Sequence, residues 1–405
     1  MKRKLKPIRE VELDNRNFTL RVILLAVCLV VAFVSIGVGI SLLVNKQEGW
    51  QKVEVSTGEM NCSNEFTLQY CFGQGEMSAT EEYRSVSRLY SQACQEGYRF
   101  FYREGELARI NAAPNQSVGV SPALYRALEL IRALDSRYAY LAPVYVEYDR
   151  VFLCENEAEA AMYDPGRDPE LAQWLAQLAA YCADPSMIDL ELLGGNTVRL
   201  YVSEQYLSFA REHEITEFLD LGWLRNAFIA DHIADTLAEA GFTRGYTASY
   251  DGFTRNLDPG SYRLNIFHRQ ADQIDLPGVI SYNGPASVVS LRDYPMSAAD
   301  RWHYFSFSDG RIVTAMADPA DGLNKSALSD LVAYSYTESC AEVALRIAPI
   351  YIRDSFSEET LTALTADGIY AVWCEDQVLC HTQEDLSVEL TADAATPYTV
   401  RFVTP

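Results

Sequence analysis

The residues best placed for chemistry concentrate in one stretch, FLDLGWLRNAFIADHIADTLAEAGF (218–242). It reads as the end of a strand, a turn at Gly222 and a long helix closed by Gly241. A turn of that kind can receive a phosphate, because the first N–H groups of a helix are unpaired and its dipole is positive there. Trp223 and Leu224, however, stand where a phosphate cradle has small residues. Further along, Asp231 and His232 put a carboxylate beside an imidazole, and this pair is the candidate for proton transfer. The bland alternative is a solvated helix acid next to a packed histidine. Asp318 and Asp321 in ADPADG (317–322) are turn formers first and metal or ribose contacts second.

Other chemistries are excluded by what the spacing lacks. The five histidines show no HxxxH or HExxH pattern, and Ser281, Ser297 and Ser339 lack the GxSxG turn of an esterase. No CxxC occurs with histidine spacing, so a zinc site is not expected. Cys62/Cys71 and Cys374/Cys380 are the nearest candidates for disulfides, although pairing cannot be read from a sequence, and for any given Cys an unpaired, buried small hydrophobe is as much expected as a bridge. The 25 tyrosines are spread throughout the chain and are expected to pack cores.

The elements that position these residues lie behind a membrane anchor. Residues 1–21 carry seven Lys or Arg against three acids and form a basic tail; residues 22–44, VILLAVCLVVAFVSIGVGISLLV, hold no charge in 23 positions. At ~1.5 Å rise per residue that run spans a ~30 Å hydrocarbon core. It is too long for a signal peptide, whose apolar region is about 7–15 residues. The basic flank places the N-terminus in the cytoplasm and the rest outside the cell membrane. Removing the seven basic and three acidic residues of the tail from the chain's 33 and 56 leaves 26 against 53, a net −27 outside the span. Such a field repels nucleic acid. Residues 45–78 read as connector and lead-in, 79–383 as one α+β domain, and 384–405 as an acidic tail whose one short apolar run reads as an edge strand. Within the domain, VSPALYRALELIRALDSRY (120–138) starts a helix at Ser121 and Pro122, and DPELAQWLAQLAAYCAD (168–184) at Asp168 and Pro169. YRLNIFHR (262–269), ASVVSLRDY (286–294) and DLVAYSYTES (330–339) read as strands, CAEVALRIAPIY (340–351) as a helix, and GIYAVWCEDQVLCHT (368–382) as a hairpin.

Four of these stretches, taken in order, resemble the FAD:protein FMN transferase (ApbE) family. GELARINAAPNQSVGVSPAL (105–124) is similar to the family's "SELSRIN…VSPEL", and DLGWLRNAFIAD (220–231) to "DLGGIAKGYAVD". MADPADG (316–322) matches "IIDPxTG", and DLVAYSYTESCAEVALRIA (330–348) matches "SVTVVAxxxxxADALATAL". The resemblance covers roughly residues 80 to 382. It implies FAD as substrate, magnesium as metal, transfer of FMN to Ser or Thr of a flavin-carrying extracytoplasmic protein, and often a membrane anchor.

Position by position, the resemblance retains architecture more than chemistry. Asp220, Gly222, Asp231, Asp318, Pro319 and Gly322 agree with the family pattern, and Gly252 falls in its "NLGGD" turn. The phosphate-facing lysine becomes Asn226, the second glycine of the turn becomes Trp223, and the histidine before "IIDP" becomes Ala315. The family's metal-holding Asp and Thr, four apart on one helix, become Glu342 and Arg346. Magnesium takes oxygen ligands in near-octahedral geometry, and arginine supplies none. Glu before Arg at that spacing forms instead an ion pair worth ~0.3–0.5 kcal/mol. The alternative is that the Arg346 guanidinium reaches a phosphate itself. Three expectations result: an impaired flavin- or nucleotide-binding or scaffold domain of a flavin-based electron-transfer system, holding its ligand through Gly222, Asn226, Gly252, Asp318, Gly322 and Arg346; an active transferase using Glu342 for magnesium and Asp231 or His232 for the proton; or a structural module whose pocket is filled by Trp223 and Tyr250.

Overall fold

The computed structural model describes residues 48–404 except 57, 272 and 392–396, together with residues 23, 24, 26–28 and 31. The proposed membrane span thus lies outside the described residues save for those six, which are helical. Among the described residues no helix is long and apolar enough to cross a membrane.

The architecture is α+β, layered on a nine-stranded sheet. From edge to edge its strands are Gly49–Lys52, Phe66–Phe72, Gly245–Ser249, Phe253–Asn256, Ala286–Arg292, Asp330–Ser335, Ile369–Glu375, Val378–His381 and Thr399–Phe402. All neighbours are antiparallel except the last pair. The central strands are buried on both faces, which is why VVSL and LVAY read as continuous apolar runs. Side chains alternate across the sheet, so Val289, Leu331, Ala333 and Trp373 join the main core under the helices. Val288, Val332, Tyr334 and Val372 face the other way, against Ile266, Ile280 and Tyr282 of a three-stranded sheet. Most of the helical layer is carried by Ala79–Phe101, Arg225–Glu239 and Cys340–Tyr351.

Helix starts follow local chemistry. Ser121 accepts from the Leu124 N–H (3.2 Å) ahead of Pro122, and Asp168 accepts from Glu170 N–H (2.9 Å) ahead of Pro169, both as the sequence predicts. Three readings are corrected. Residues 218–221 form no strand: the N–H groups of Phe218 and Leu219 donate to Asn111 Oδ1 (3.1 and 2.9 Å), and Asn111 Nδ2 donates to the Leu219 carbonyl (2.9 Å). One buried amide stands in for a neighbouring strand, a long-range substitution that no local pattern reveals. The flanks also enter the fold. Gly49–Lys52 and Phe66–Phe72 pair within the large sheet, Ser387–Leu390 joins the three-stranded sheet, and Thr399–Phe402 is the edge strand expected in the acidic C-terminal segment. Finally, the described cysteines are all unpaired. Cys62 sits against Cys94, donating its Sγ–H to the Cys94 carbonyl (3.3 Å), not against Cys71. Cys374 and Cys380 lie on opposite faces of the sheet because Cys380 pairs with Trp373, one residue away from Cys374.

Replacing Asn111 with Ala leaves two N–H groups and a carbonyl of the 218–219 segment unpaired inside the protein. The expected loss is about 1–3 kcal/mol for each group that water cannot reach, measured as a lowered urea midpoint followed by circular dichroism.

Candidate functional site

A cleft of about 420 Å3 opens where the Gly222 turn, the Ala142–Phe152 helix and the loop before Phe66 converge. Its walls are Tyr145, Tyr148, Phe152, Trp223 and Trp302, with Asn64, Glu65, Arg103, Asp149, Asp220, Arg225, His303 and Ala315 between them. Two smaller recesses share walls with it. One reaches Asp251, Arg292 and Tyr304 past Trp223, His303 and Ala315; the other reaches Asn226, Tyr250 and Asp251 past Glu65 and His303.

The turn must carry glycine. Gly222 has φ +51°, and a Cβ there would lie 2.4 Å from the Tyr145 ring. That close approach sets Trp223 as a wall, edge-on to Tyr138 at 6.0 Å between ring centroids. Gly252 is equally fixed: φ is +114° and a Cβ would meet the Ser290 carbonyl oxygen at 2.2 Å. It holds the turn that presents Asp251.

Each interior guanidinium of the cleft and its recesses is paired with a carboxylate. Arg103 donates Nε and Nη2 to Asp220 (3.0 and 2.8 Å) and Nη1 to Asp149 (2.8 Å). Arg225 meets Glu65 at 3.2 Å and lies over the Tyr102 ring, 4.0 Å from its centroid. Asn226 Nδ2 bridges Glu65 (2.8 Å) and Asp251 (2.9 Å), and the Tyr102 hydroxyl also donates to Glu65. Burial by itself would raise the Glu65 carboxyl, but Arg225 and the hydrogen bonds from Tyr102 and Asn226 outweigh it and hold it below the ordinary carboxylate range. Arg292 donates to Asp300 (3.2 Å) and to the Tyr250 carbonyl (3.0 Å). Several polar atoms around the cleft are buried without a protein partner: Trp223 Nε1, Arg225 Nε, Arg292 Nε, Asn226 Oδ1 and Asp251 Oδ1.

The sequence-derived candidates separate into three groups. Gly222, Asn226 and Gly252 belong to the cleft or its rim, as described. Asp318 and Gly322 form a turn behind it: Asp318 accepts from the Ala320 N–H (2.9 Å) and pairs with Lys325 (3.0 Å), while the Gly322 carbonyl accepts from the Tyr148 hydroxyl (3.1 Å). Asp231 and His232 point elsewhere. Asp231 Oδ1 receives the Cys340 N–H (2.9 Å) and Arg255 Nη1 (2.6 Å), and Oδ2 receives the Ala341 N–H (2.9 Å). It anchors the start of the Cys340–Tyr351 helix. His232 meets Glu96 (3.1 Å), and burial, partly countered by Glu96, lowers its pKa; Asp231 and His232 both line a separate cavity of about 210 Å3. Neither is in the lining of the cleft.

Glu342 and Arg346 are also absent from that lining. Arg346 Nε and Nη2 donate to one oxygen of Glu342 (3.1 and 2.9 Å), and Nη1 to Asp367 (3.1 Å). The pair that the resemblance places at a metal is an i,i+4 ion pair, and a guanidinium covers the carboxylate, so the residues present do not fit magnesium. Nor does Arg346 reach the cleft. The expectation of a filled pocket is not met either: Tyr250 is 48% exposed and Trp223 is a wall beside open space.

Sequence reasoning passes over Glu65, Arg103, Arg225 and His303. Arg225 adjoins Asn226 and could have been found there. His303 had one available signal, its place twelve residues before Ala315; the Ala315 N–H donates to the His303 carbonyl (3.2 Å), so an imidazole-bearing residue adjoins the position where the family pattern has histidine.

No family model matches the sequence, and no curated protein matches it. Solved structures similar in fold include two ApbE proteins. The ApbE protein of Thermotoga maritima superposes with a TM-score of 0.55 at 11% identity, covering 85% of this chain and 97% of its own. The flavin transferase ApbE of Vibrio cholerae gives 0.51 at 13% identity, covering 85% and 98%. The chain therefore has an ApbE-like fold, and at such identity the likeness extends to the fold alone.

Because the folded Glu65 carboxyl is depressed, its pairing contributes stability above the ordinary glutamate value of about 4.3 and loses it as pH falls through the lower folded value. Glu65→Gln should thus be less stable than the parent at pH 7, with the gap closing below about pH 4; thermal melts across that range test this.

Proposed function

We propose that this chain is a membrane-anchored, extracytoplasmic flavin-binding domain with the ApbE-like fold and without the transfer reaction. The observation that carries the reading is the Arg346 guanidinium seated on Glu342, at the two positions where the resemblance puts the metal ligands. Asn226 in place of lysine supports it, since its amide is spent on Glu65 and Asp251. Bound flavin would sit among Trp223, Trp302, Tyr145 and Tyr148, with Asn226 and Asp251 at its polar edge. The ring supplies redox capacity when bound. The protein's own residues stack on it, exclude water and offer hydrogen bonds. A flavin-carrying protein outside the membrane is the corresponding partner, and the uncharged segment 22–44 is the anchor.

A second reading is favoured by one feature. His303 lines the cleft and both recesses beside Ala315, and could take the proton that the family pattern assigns to a histidine there. In that reading the domain is an active FMN transferase.

The full-length chain in non-ionic detergent distinguishes them. The first reading expects flavin fluorescence to change on binding, unaffected by magnesium, with added FAD recovered intact. Magnesium-dependent release of AMP from FAD, abolished in His303→Ala, would establish the second.

A further inference from the structure

The cleft assigned above to a flavin has no interior cation left for a phosphate. Arg103 is held by Asp220 and Asp149, Arg225 by Glu65, and Arg292 by Asp300. No lysine lines the cleft or its recesses among the described residues. The remaining guanidinium, Arg301, is exposed at the rim and lies over the Trp302 ring at 4.3 Å. Counted together, five carboxylates face four guanidiniums, a net −1 before any ligand enters. Arg225 Nε and Arg292 Nε stay unpartnered, but each guanidinium is already neutralised by a carboxylate, so a phosphate would bring an uncompensated negative charge into a low-dielectric site.

The rest of the lining favours a flat, uncharged ring. Trp223, Trp302, Tyr145 and Phe152 supply aromatic surface. Trp223 Nε1 and Arg225 Nε are donors without a protein partner, and Asn226 Oδ1 and Asp251 Oδ1 acceptors without one; all four are buried, so side-chain rotation must bring them to the ring. An imide-bearing heteroaromatic edge presents carbonyl oxygens flanking an N–H, which needs both kinds. At about 420 Å3 the cleft is near the small end of the ~300–1,000 Å3 common for ligand sites, matching one ring system rather than an extended dinucleotide.

We propose that the site takes the unphosphorylated flavin, riboflavin, in preference to FMN or FAD. This rests on the flavin-site reading and narrows it: the chain receives or stores a neutral heteroaromatic ring and discriminates against phosphate through pre-paired arginines.

The test is titration of full-length protein in non-ionic detergent with riboflavin, FMN and FAD, each followed by flavin fluorescence and calorimetry. Riboflavin should bind at least about tenfold more tightly than either phosphorylated form, equivalent to roughly 1.4 kcal/mol. Glu65→Gln, which releases Arg225, should narrow the ratio between riboflavin and FMN. Equal or tighter binding of FMN or FAD would overturn the inference while leaving the flavin site standing, as would an unchanged ratio in the variant. Binding of none of the three overturns both.

Discussion

The Asp231 carboxylate receives two backbone N–H groups and a guanidinium, and through them it joins three elements of the fold. It lies on the Arg225–Glu239 helix, it takes the Cys340 and Ala341 N–H groups at the start of the next long helix, and it holds Arg255 on the Phe253–Asn256 strand. Ser339 caps the same helix start through the Glu342 N–H, so the carboxylate and the hydroxyl together satisfy donors that would otherwise be buried and unpaired. With this junction in place, the N-terminal end of the Arg225–Glu239 helix faces the cleft and Asn226 can span Glu65 and Asp251. Remove the junction, and the two walls those residues tie together lose their common reference.

A consequence is that the most suggestive acid in the sequence is occupied by architecture. Asp231 beside His232 reads as a proton-transfer pair, yet adjacent residues on a helix point in directions about 100° apart. Both border a separate cavity walled in part by Phe101, Phe228 and Ala341, but the Asp231 carboxylate is taken up by a helix terminus and the His232 imidazole by Glu96. Besides Asp220 and Arg225, the cleft draws its polar groups from elsewhere: Glu65 from a loop leading into the sheet, Arg103 from just past a helix end, and His303 from a segment before a short strand. Chemistry there is shaped by neutralisation. Each interior guanidinium carries its own carboxylate, and the resulting surface is aromatic, polar and nearly balanced in charge.

The same balance gives physical content to the differences from the family pattern. Losing a lysine at Asn226 and gaining a bulky ring at Trp223 would count as damage if the site still handled a diphosphate. In a cleft whose arginines are already committed, they are consistent with one another: the amide fastens two acids, and the ring supplies a wall. The domain's high negative charge points the same way, since an acidic surface disfavours anionic ligands at long range.

Much of the scaffold was written locally. Ser121–Pro122 and Asp168–Pro169 set helix starts through side chains within three residues, and the apolar runs of the central strands required burial on both faces. Gly222 and Gly252 were legible as turns, and the spacing of Glu342 and Arg346 already specified an ion pair across one helical turn. What the sequence could not determine was anything requiring partners far along the chain. Asn111 acting as a strand's substitute for residues 218–219, the pairing of Arg225 with Glu65 across 160 positions, and the choice of Cys94 over Cys71 as neighbour to Cys62 all arise from packing. Short-range rules follow the period of a helix or strand, whereas charge pairing and burial are set by which surfaces meet, and only the folded chain decides that.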